Sequence, residues 1–486
     1  MSRGEKWANA ILRAGGLLAV GALCYVVYAY DLAGKRQFTG ATGAILYHGL
    51  PALAAAALFA ALRLPVIHRI NLALALASTV LSLYAVELLL ADDPAFLRPA
   101  VPDFVRASGA AYDGRSKLEV IEDMRREGIN ALPTVTPKIL LTQQADRRLR
   151  SAISSAETEI LPLGWVSNSV AVFCNENGYW VSFRSDEHGF LNPPGTWSGK
   201  RITLAAVGDS FTQGYCVAPE QNFISLARTW NPGMLNLAVS GNGPLIELAG
   251  VAEYLRHVRP AKVLWFFAEV NDLCDLQVER NSPLLMRYLE TQHDQNLLGT
   301  QGTIDRSLLD YIERARRDLR IGRLLNVARL ATLRERLGLL YARSEERRHF
   351  EQYGCREVDG ALYPTAFGPD AAALLRAILQ QARQAVQGWG GELIFVYLPE
   401  WQRYHDPQRA NPHRNEVLAI VESLDLDLLD LHPVFAGHPD PLALFPFRRQ
   451  GHYNEAGHRV VAEALQRKLA SVRTPSPPRT VLRSLP

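Results

Sequence analysis

Cysteine is scarce: five residues in 486, none in the close CxxC spacing that zinc or thioredoxin-like chemistry uses. An excess of charge is missing too. The 52 basic and 49 acidic residues leave a net charge of +3, and no block is rich in Lys and Arg, which excludes a nucleic-acid partner. No cluster of metal-ligating residues and no phosphate-cradling loop is visible, and Gly241-Asn242-Gly243 is too short for a dinucleotide fingerprint. No cofactor and no metal are therefore expected. Cys24 lies in an apolar stretch, while Cys174, Cys216, Cys274 and Cys355 allow two disulfides without demanding them.

Long uncharged runs are also missing after the first ninety or so residues, and this asymmetry sets the architecture. Three apolar segments open the chain, about Ile11 to Tyr30, Ala41 to Leu62 and Ile70 to Ala91. Each has the roughly 20 residues that a bilayer-crossing helix needs. The predicted region 1–91 is thus a bundle of three transmembrane helices. Arg3, Lys6, Arg13, Arg63 and Arg69 favour an inside N-terminus, with Lys35, Arg36, Asp92 and Asp93 outside. An odd number of spans then delivers the remainder to the far side, an oxidising compartment where cysteines pair. The expected location is multi-pass in a bacterial-type inner membrane, with the C-terminal part periplasmic or extracellular.

Residues 92–200 read as a stalk and a small β-containing subdomain, punctuated by Pro99, Pro102, Pro133 and Pro137. An amphipathic helix is predicted from Ser116 to Glu127, and alternation around Asn175-Glu176-Asn177-Gly178 predicts a β-hairpin from Ser169 to Ser185. From 201 to about 473, short continuous apolar runs alternate with helical segments: Ile202–Val207, Leu235–Val239, Val263–Phe267, Leu393–Leu398 and Leu428–Leu431. Such runs suit strands covered on both faces, so the predicted fold is α/β, three layers around a parallel sheet. A helical insertion is expected at about 275–370, and the Pro-rich tail 474–486 reads as disordered.

The first strand ends in Gly208-Asp209-Ser210-Phe211-Thr212-Gln213-Gly214. A serine there stands at the strand's C-terminal edge, where α/β folds bind ligands. By itself a serine after a strand is more often a helix N-cap than a nucleophile. The second strand leads into Asn236-Leu237-Ala238-Val239-Ser240-Gly241-Asn242-Gly243, the third into Glu269-Val270-Asn271-Asp272, and Gly451-His452-Tyr453-Asn454 precedes the last helix. These four blocks, in this order, resemble those of GDSL/SGNH hydrolases. The resemblance implies an SGNH-type α/β domain in which Ser210 is the nucleophile and His452 its base. The Ser210 amide, the Gly241 amide and the Asn271 side chain would form the oxyanion hole. His458 reads as a packing or surface residue.

Two positions depart from the family pattern. Glu269 replaces a glycine, and Arg449 and Gln450 stand where an acid two or three residues before the histidine usually orients it. Asp440, Asp430, a backbone carbonyl or Gln450 itself remain as candidates for that duty. Arg448 and Arg449 beside His452 point to an anionic substrate only if they face inward. The resemblance implies a serine esterase acting on an acyl, and in some members acetyl, ester at the cell envelope. The alternatives are an O-acyltransferase modifying an envelope polysaccharide and a binding or assembly module of the same fold. The implied partners are an ester-bearing substrate, such as a cell-envelope glycan, and the membrane itself.

Overall fold

The computed structural model describes residues 2–28, 45–91, 105, 109, 111–153, 159–198, 201–290, 293–336 and 350–471. The tail 474–486 and the topology markers Lys35, Arg36, Asp92 and Asp93 lie outside these. The chain divides into a helical unit, Met1–Leu97 with Ile321–Tyr341, and a sheet unit formed by the rest.

In the helical unit, helices Arg3–Val26 and Val66–Ala91 are long and apolar enough to cross a membrane. The described part of the middle apolar segment forms a shorter helix, Tyr47–Ala61, so among the described residues two helices rather than the expected three pass that test. Ala8, Leu12, Ala61 and Ala73 pack inside the unit, whereas Leu17, Leu18, Leu53, Leu74, Leu81 and Leu89 face outward. This inside-out distribution suits lipid rather than water. Glu87, within the last long apolar helix, accepts from the backbone N–H groups of Thr332 (3.0 Å) and Leu333 (2.7 Å). Part of the insertion expected at 275–370 therefore belongs to the helical unit.

The sheet unit is built on five parallel strands: β1 (Leu204–Val207), β2 (Met234–Asn236), β3 (Lys262–Ala268), β4 (Glu392–Leu398) and β5 (Asp427–Asp430). Their order across the sheet is β5-β4-β3-β1-β2. Alternate residues of the strands feed two cores. Ala205, Val207, Trp265, Phe267, Phe395 and Tyr397 pack beneath the helices around Pro244–Val258 and Pro369–Gly388. Leu204, Ala206, Leu264, Phe266, Ile394 and Val396 pack beneath Phe223–Arg228 and Glu455–Ser471 on the other face. Continuous apolar runs were needed because both faces are covered.

The described residues 111–198 are not separated from the sheet as a stalk would be. Trp165, Phe173, Phe183 and Phe190 share one hydrophobic cluster with the sheet, and these residues fall in the same compact unit. The predicted helix runs from Lys117 to Arg126, started by a capping box of Ser116 and Glu119. The predicted hairpin pairs Val170–Val172 with Ser182–Arg184, while Ala131–Pro133 lies parallel to its first strand. Two disulfides cross the unit, Cys174–Cys216 and Cys274–Cys355. In the chain-entropy picture each closes a loop long enough to contribute about 4 kcal/mol.

Candidate active site

β1 stops at Val207, and the chain turns through Gly208 and Asp209 into a single helical turn, Ser210–Gln213. Asp209 caps that turn, its Oδ1 accepting from the Phe211 N–H at 2.9 Å. The turn is short because Gly214 adopts a left-handed conformation at its end. Ser210 is left at the strand's C-terminal edge, its Oγ 2.8 Å from His452 Nε2. His452 sits just before helix Glu455–Ser471, its ring packed between Phe211 and Tyr215, with centroids 4.7 and 4.9 Å away.

The far side of the imidazole meets Glu176. His452 Nδ1 lies 3.0 Å from each Glu176 carboxylate oxygen, and the His452 backbone N–H donates to Glu176 Oε2 at 2.9 Å. A carboxylate only accepts, so Nδ1 carries the proton and Nε2 is left to accept from the Ser210 hydroxyl. Gly451 permits the approach: a Cβ there would lie 2.9 Å from Glu176 Oε2. Burial disfavours the charged form of His452, but the charge and hydrogen bond of Glu176, with the charge of Asp209, outweigh it and raise its pKa above the ordinary histidine value. Burial likewise pushes Glu176 up, and the His452 charge and hydrogen bonds more than reverse that, leaving it below the usual carboxylate range.

Glu176 stands in the turn of the predicted hairpin, and several contacts fix it. Cys174, two residues earlier, is disulfide-bonded to Cys216, six residues after Ser210. Asn177 Nδ2 donates to the Cys216 carbonyl at 2.8 Å, and the Asp113 N–H donates to the Gly178 carbonyl at 2.8 Å. Cys216 Sγ lies within 4.8 Å of the Glu176 and His452 ligand-type atoms. Being already bonded to Cys174, it offers no thiolate to a metal.

The acids considered near His452 do other things. Asp440 is paired with exposed Arg448, and Asp430 with Arg414, its second oxygen accepting from the His432 N–H at 3.0 Å. Gln450 lies against the Gly360 turn. Arg448 and Arg449 are both exposed, so neither faces the imidazole as an inward cation. Sequence reading missed Glu176 because it sought the acid in the segment leading up to the histidine, no further back than Asp430. The usable signal was a carboxylate in a tight hairpin turn flanked by a cysteine, with a second cysteine just past the candidate serine.

The other predicted residues cluster around Ser210. Gly241 has φ +81°, and a Cβ there would lie 2.9 Å from Lys138 Cδ, so both backbone and space require glycine. Its N–H has no acceptor among the described residues. Glu279 holds this block from behind, accepting from the N–H groups of Gly243 (2.6 Å), Leu245 (2.9 Å) and Ile246 (3.3 Å). Asn271 follows β3, its Nδ2 donating to Asp275 Oδ2 at 2.7 Å and its side chain bonded to the Asp209 carboxylate. Burial pushes Asp209 up to about 6 and Glu279 up to about 8, and raises Glu247 and Asp272 well above the usual range.

The unexpected Glu269 has a structural duty. Its carboxylate is paired with Arg403 and accepts from the Glu400 N–H at 3.1 Å, tying the end of β3 to the loop after β4. His458 is fully buried against Phe223, whose N–H donates to its Nδ1 at 3.2 Å. Burial, helped by the His452 charge, drives its pKa down to about 3.

No protein-family model and no curated relative matches the sequence. Among solved structures, the chain is similar to the crystal structure of TesA, at 14% identity over 56% of this chain and 99% of that one, with a TM-score of 0.30. The lipase/acylhydrolase from Enterococcus faecalis matches at 11% identity over 57% of this chain and 100% of that one, TM-score 0.31. A two-domain esterase active on acetylated mannans matches at 14% identity over 58% of this chain and 52% of that one, TM-score 0.29. The sheet unit is a three-layer α/β fold around a parallel sheet, with the Ser210, Gly241 and Asn271 blocks after consecutive strands and His452 before the last helix, the order in which the sequence presents them.

Proposed function

We propose that this chain is a membrane-tethered serine esterase of the SGNH type, acting on acyl esters at the cell envelope. The observation that carries this reading is the continuous relay from Glu176 through His452 to Ser210, with contacts of 3.0 and 2.8 Å. A serine hydroxyl is a weak nucleophile until a base takes its proton. His452 Nε2 is in place to take it, and Glu176 stabilises the imidazolium that forms. Ser210 Oγ attacks the acyl carbonyl, His452 returns the proton to the departing alcohol, and water then releases the acyl group by the same steps. The N–H groups of Ser210 and Gly241 are the donors for the oxyanion, and the Asn271 amide joins them by turning one N–H away from the carboxylates that hold it. Donors of this kind are each worth about 3 kcal/mol in comparable sites.

The complete relay weighs against a pure binding module, which has no need of an oriented imidazole. The two cysteine pairs and the two long apolar helices support a site held at a membrane facing an oxidising compartment. An alkaline phosphatase fusion after residue 91 tests the sidedness: activity is expected, and its absence with a cytoplasmic reporter active instead places the site inside. The chemistry is tested on the full chain in detergent with 4-nitrophenyl acetate and a fluorophosphonate probe. Labelling and turnover are expected in the native chain and not in Ser210→Ala. A folded native chain that does neither is no serine esterase.

A further inference from the structure

A cavity of about 650 Å3 opens beside the relay, bordered by Gly241, Gln213 from the Ser210 turn, and Tyr215, whose ring packs on His452. The former stalk region supplies much of its wall: Trp165, Phe173 and Phe183, with Phe350 from the end of the insertion. Two lysines, Lys117 and Lys138, line it, and no carboxylate does among the described residues. The two lysines are not equivalent. Lys138 Nζ donates to the buried Asp275 Oδ1 at 2.7 Å and sits 4.4 Å from the Phe350 ring centroid, so its charge is already balanced. Lys117 has no hydrogen bond and no ion pair among the described residues.

The backbone at Lys117 is fixed beside the cavity. This lysine is the first residue of the capped helix Lys117–Arg126. The segment leading into that helix is stitched to the Glu176 hairpin by the Trp180 Nε1–H, which donates to the Arg115 carbonyl at 2.9 Å, and by the Asp113–Gly178 backbone bond. Partial burial disfavours its charged form, lowering its pKa below the ordinary lysine value. A partly desolvated ammonium in a largely apolar, aromatic-walled cavity gains most from an anion of matching position.

Resting on the esterase reading, we propose that Lys117 is a specificity-determining residue, and that the natural substrates are anionic esters whose carboxylate or equivalent anion is received by its ammonium in this cavity. The anion can sit on the acyl or on the alcohol side of the ester, and two pairs of probes separate these. Methyl 4-acetoxybenzoate and 4-acetoxybenzoate differ by one charge on the alcohol side. The 4-nitrophenyl ester of methyl glutarate and mono-4-nitrophenyl glutarate differ by one charge on the acyl side.

With the full chain in detergent, kcat/KM for the anionic member of one pair is expected to exceed that of its neutral twin by about tenfold to a hundredfold, the range of one charge-assisted hydrogen bond. In Lys117→Gln that ratio collapses to about one, and in Lys117→Arg it is largely kept. A ratio near one in the native chain for both pairs, or a ratio that Lys117→Gln leaves intact, overturns the proposal while leaving the esterase reading untouched. If no ester is turned over and Ser210 is not labelled, the esterase reading fails by itself. Calorimetry with 4-hydroxybenzoate and its methyl ester then still decides: tighter binding of the anion, lost in Lys117→Gln, supports the site, and equal binding removes it.

Discussion

Two segments of this chain compete for the same duty. The loop from Asp440 to Gln450 adjoins His452 in sequence and carries a carboxylate, and the hairpin around Glu176 lies 276 residues upstream. The near acid is spent on exposed Arg448, whereas the distant one has both oxygens against the imidazole. The difference lies in what holds each segment. The hairpin is fixed by the Cys174–Cys216 bridge, the Asn177 bond to the Cys216 carbonyl and the contacts of Asp113. Nothing comparable turns Asp440 inward. A catalytic acid is thus defined by the rigidity of its support and its reach to the ring, not by its distance along the chain.

Substitutions can break that comparison in order of expected size. Ser210→Ala or His452→Ala should each remove roughly 10⁴- to 10⁶-fold of kcat, the scale at which nucleophile and base act as one unit; a loss below tenfold would assign the chemistry elsewhere. Glu176→Gln should lower kcat/KM by about 10²- to 10⁴-fold, since the neutral amide neither stabilises the imidazolium nor fixes the tautomer. It also removes the charge that raises His452, so the acid limb of the kcat/KM profile should move to lower pH. If Asp440 or Asp430 were the operative acid, Glu176→Gln would instead be nearly silent.

The pH dependence separates stability from activity. His452 is raised, so its share of the ion pair's stability is complete below its ordinary pKa of 6.5 and is lost as pH rises through the raised value. Glu176 is lowered, so its share is complete above 4.5 and is lost as pH falls through the lowered value. The pair stabilises the fold most fully between those two pH values. Activity, which needs neutral His452, should rise only above that window. A thermal-melt series beside a rate series across pH 4 to 9 checks the offset, and coincident optima would contradict it.

Smaller effects sharpen the role of the support. Replacing Cys174 and Cys216 together by serine should cost about 4 kcal/mol in unfolding free energy in the chain-entropy estimate, measured by denaturant titration, and lower kcat several-fold more than KM as the Glu176 turn loosens. Asp440→Asn, which breaks only an exposed pair with Arg448, should change kcat/KM by less than about twofold. A larger loss would return the near loop to the mechanism.

Glu269 and His458 show what local reading can and cannot decide. A glutamate where the family pattern has glycine leaves the neighbouring Asn271 donor in place, and its carboxylate serves Arg403 and the Glu400 amide. A second histidine six residues past His452 reads as a packing or surface residue, and its full burial against Phe223 makes it the former.

The sequence by itself determined the parallel sheet, the hairpin, the capped helix at Lys117 and the placement of Ser210, Gly241, Asn271 and His452. These follow from periodicity, capping and short motifs, whose physics acts over a few residues. It also placed the apolar segments, though the described part of the middle one yields a helix shorter than a bilayer needs. Only the tertiary structure decided which carboxylate meets His452, which cysteines pair, that the stretch expected to be a stalk walls the cavity, and that Lys117 alone of its two lysines has no counter-charge. Each of those is a contact between segments distant in sequence. Such a contact exists only once the sheet and its covering layers fix where each segment lies.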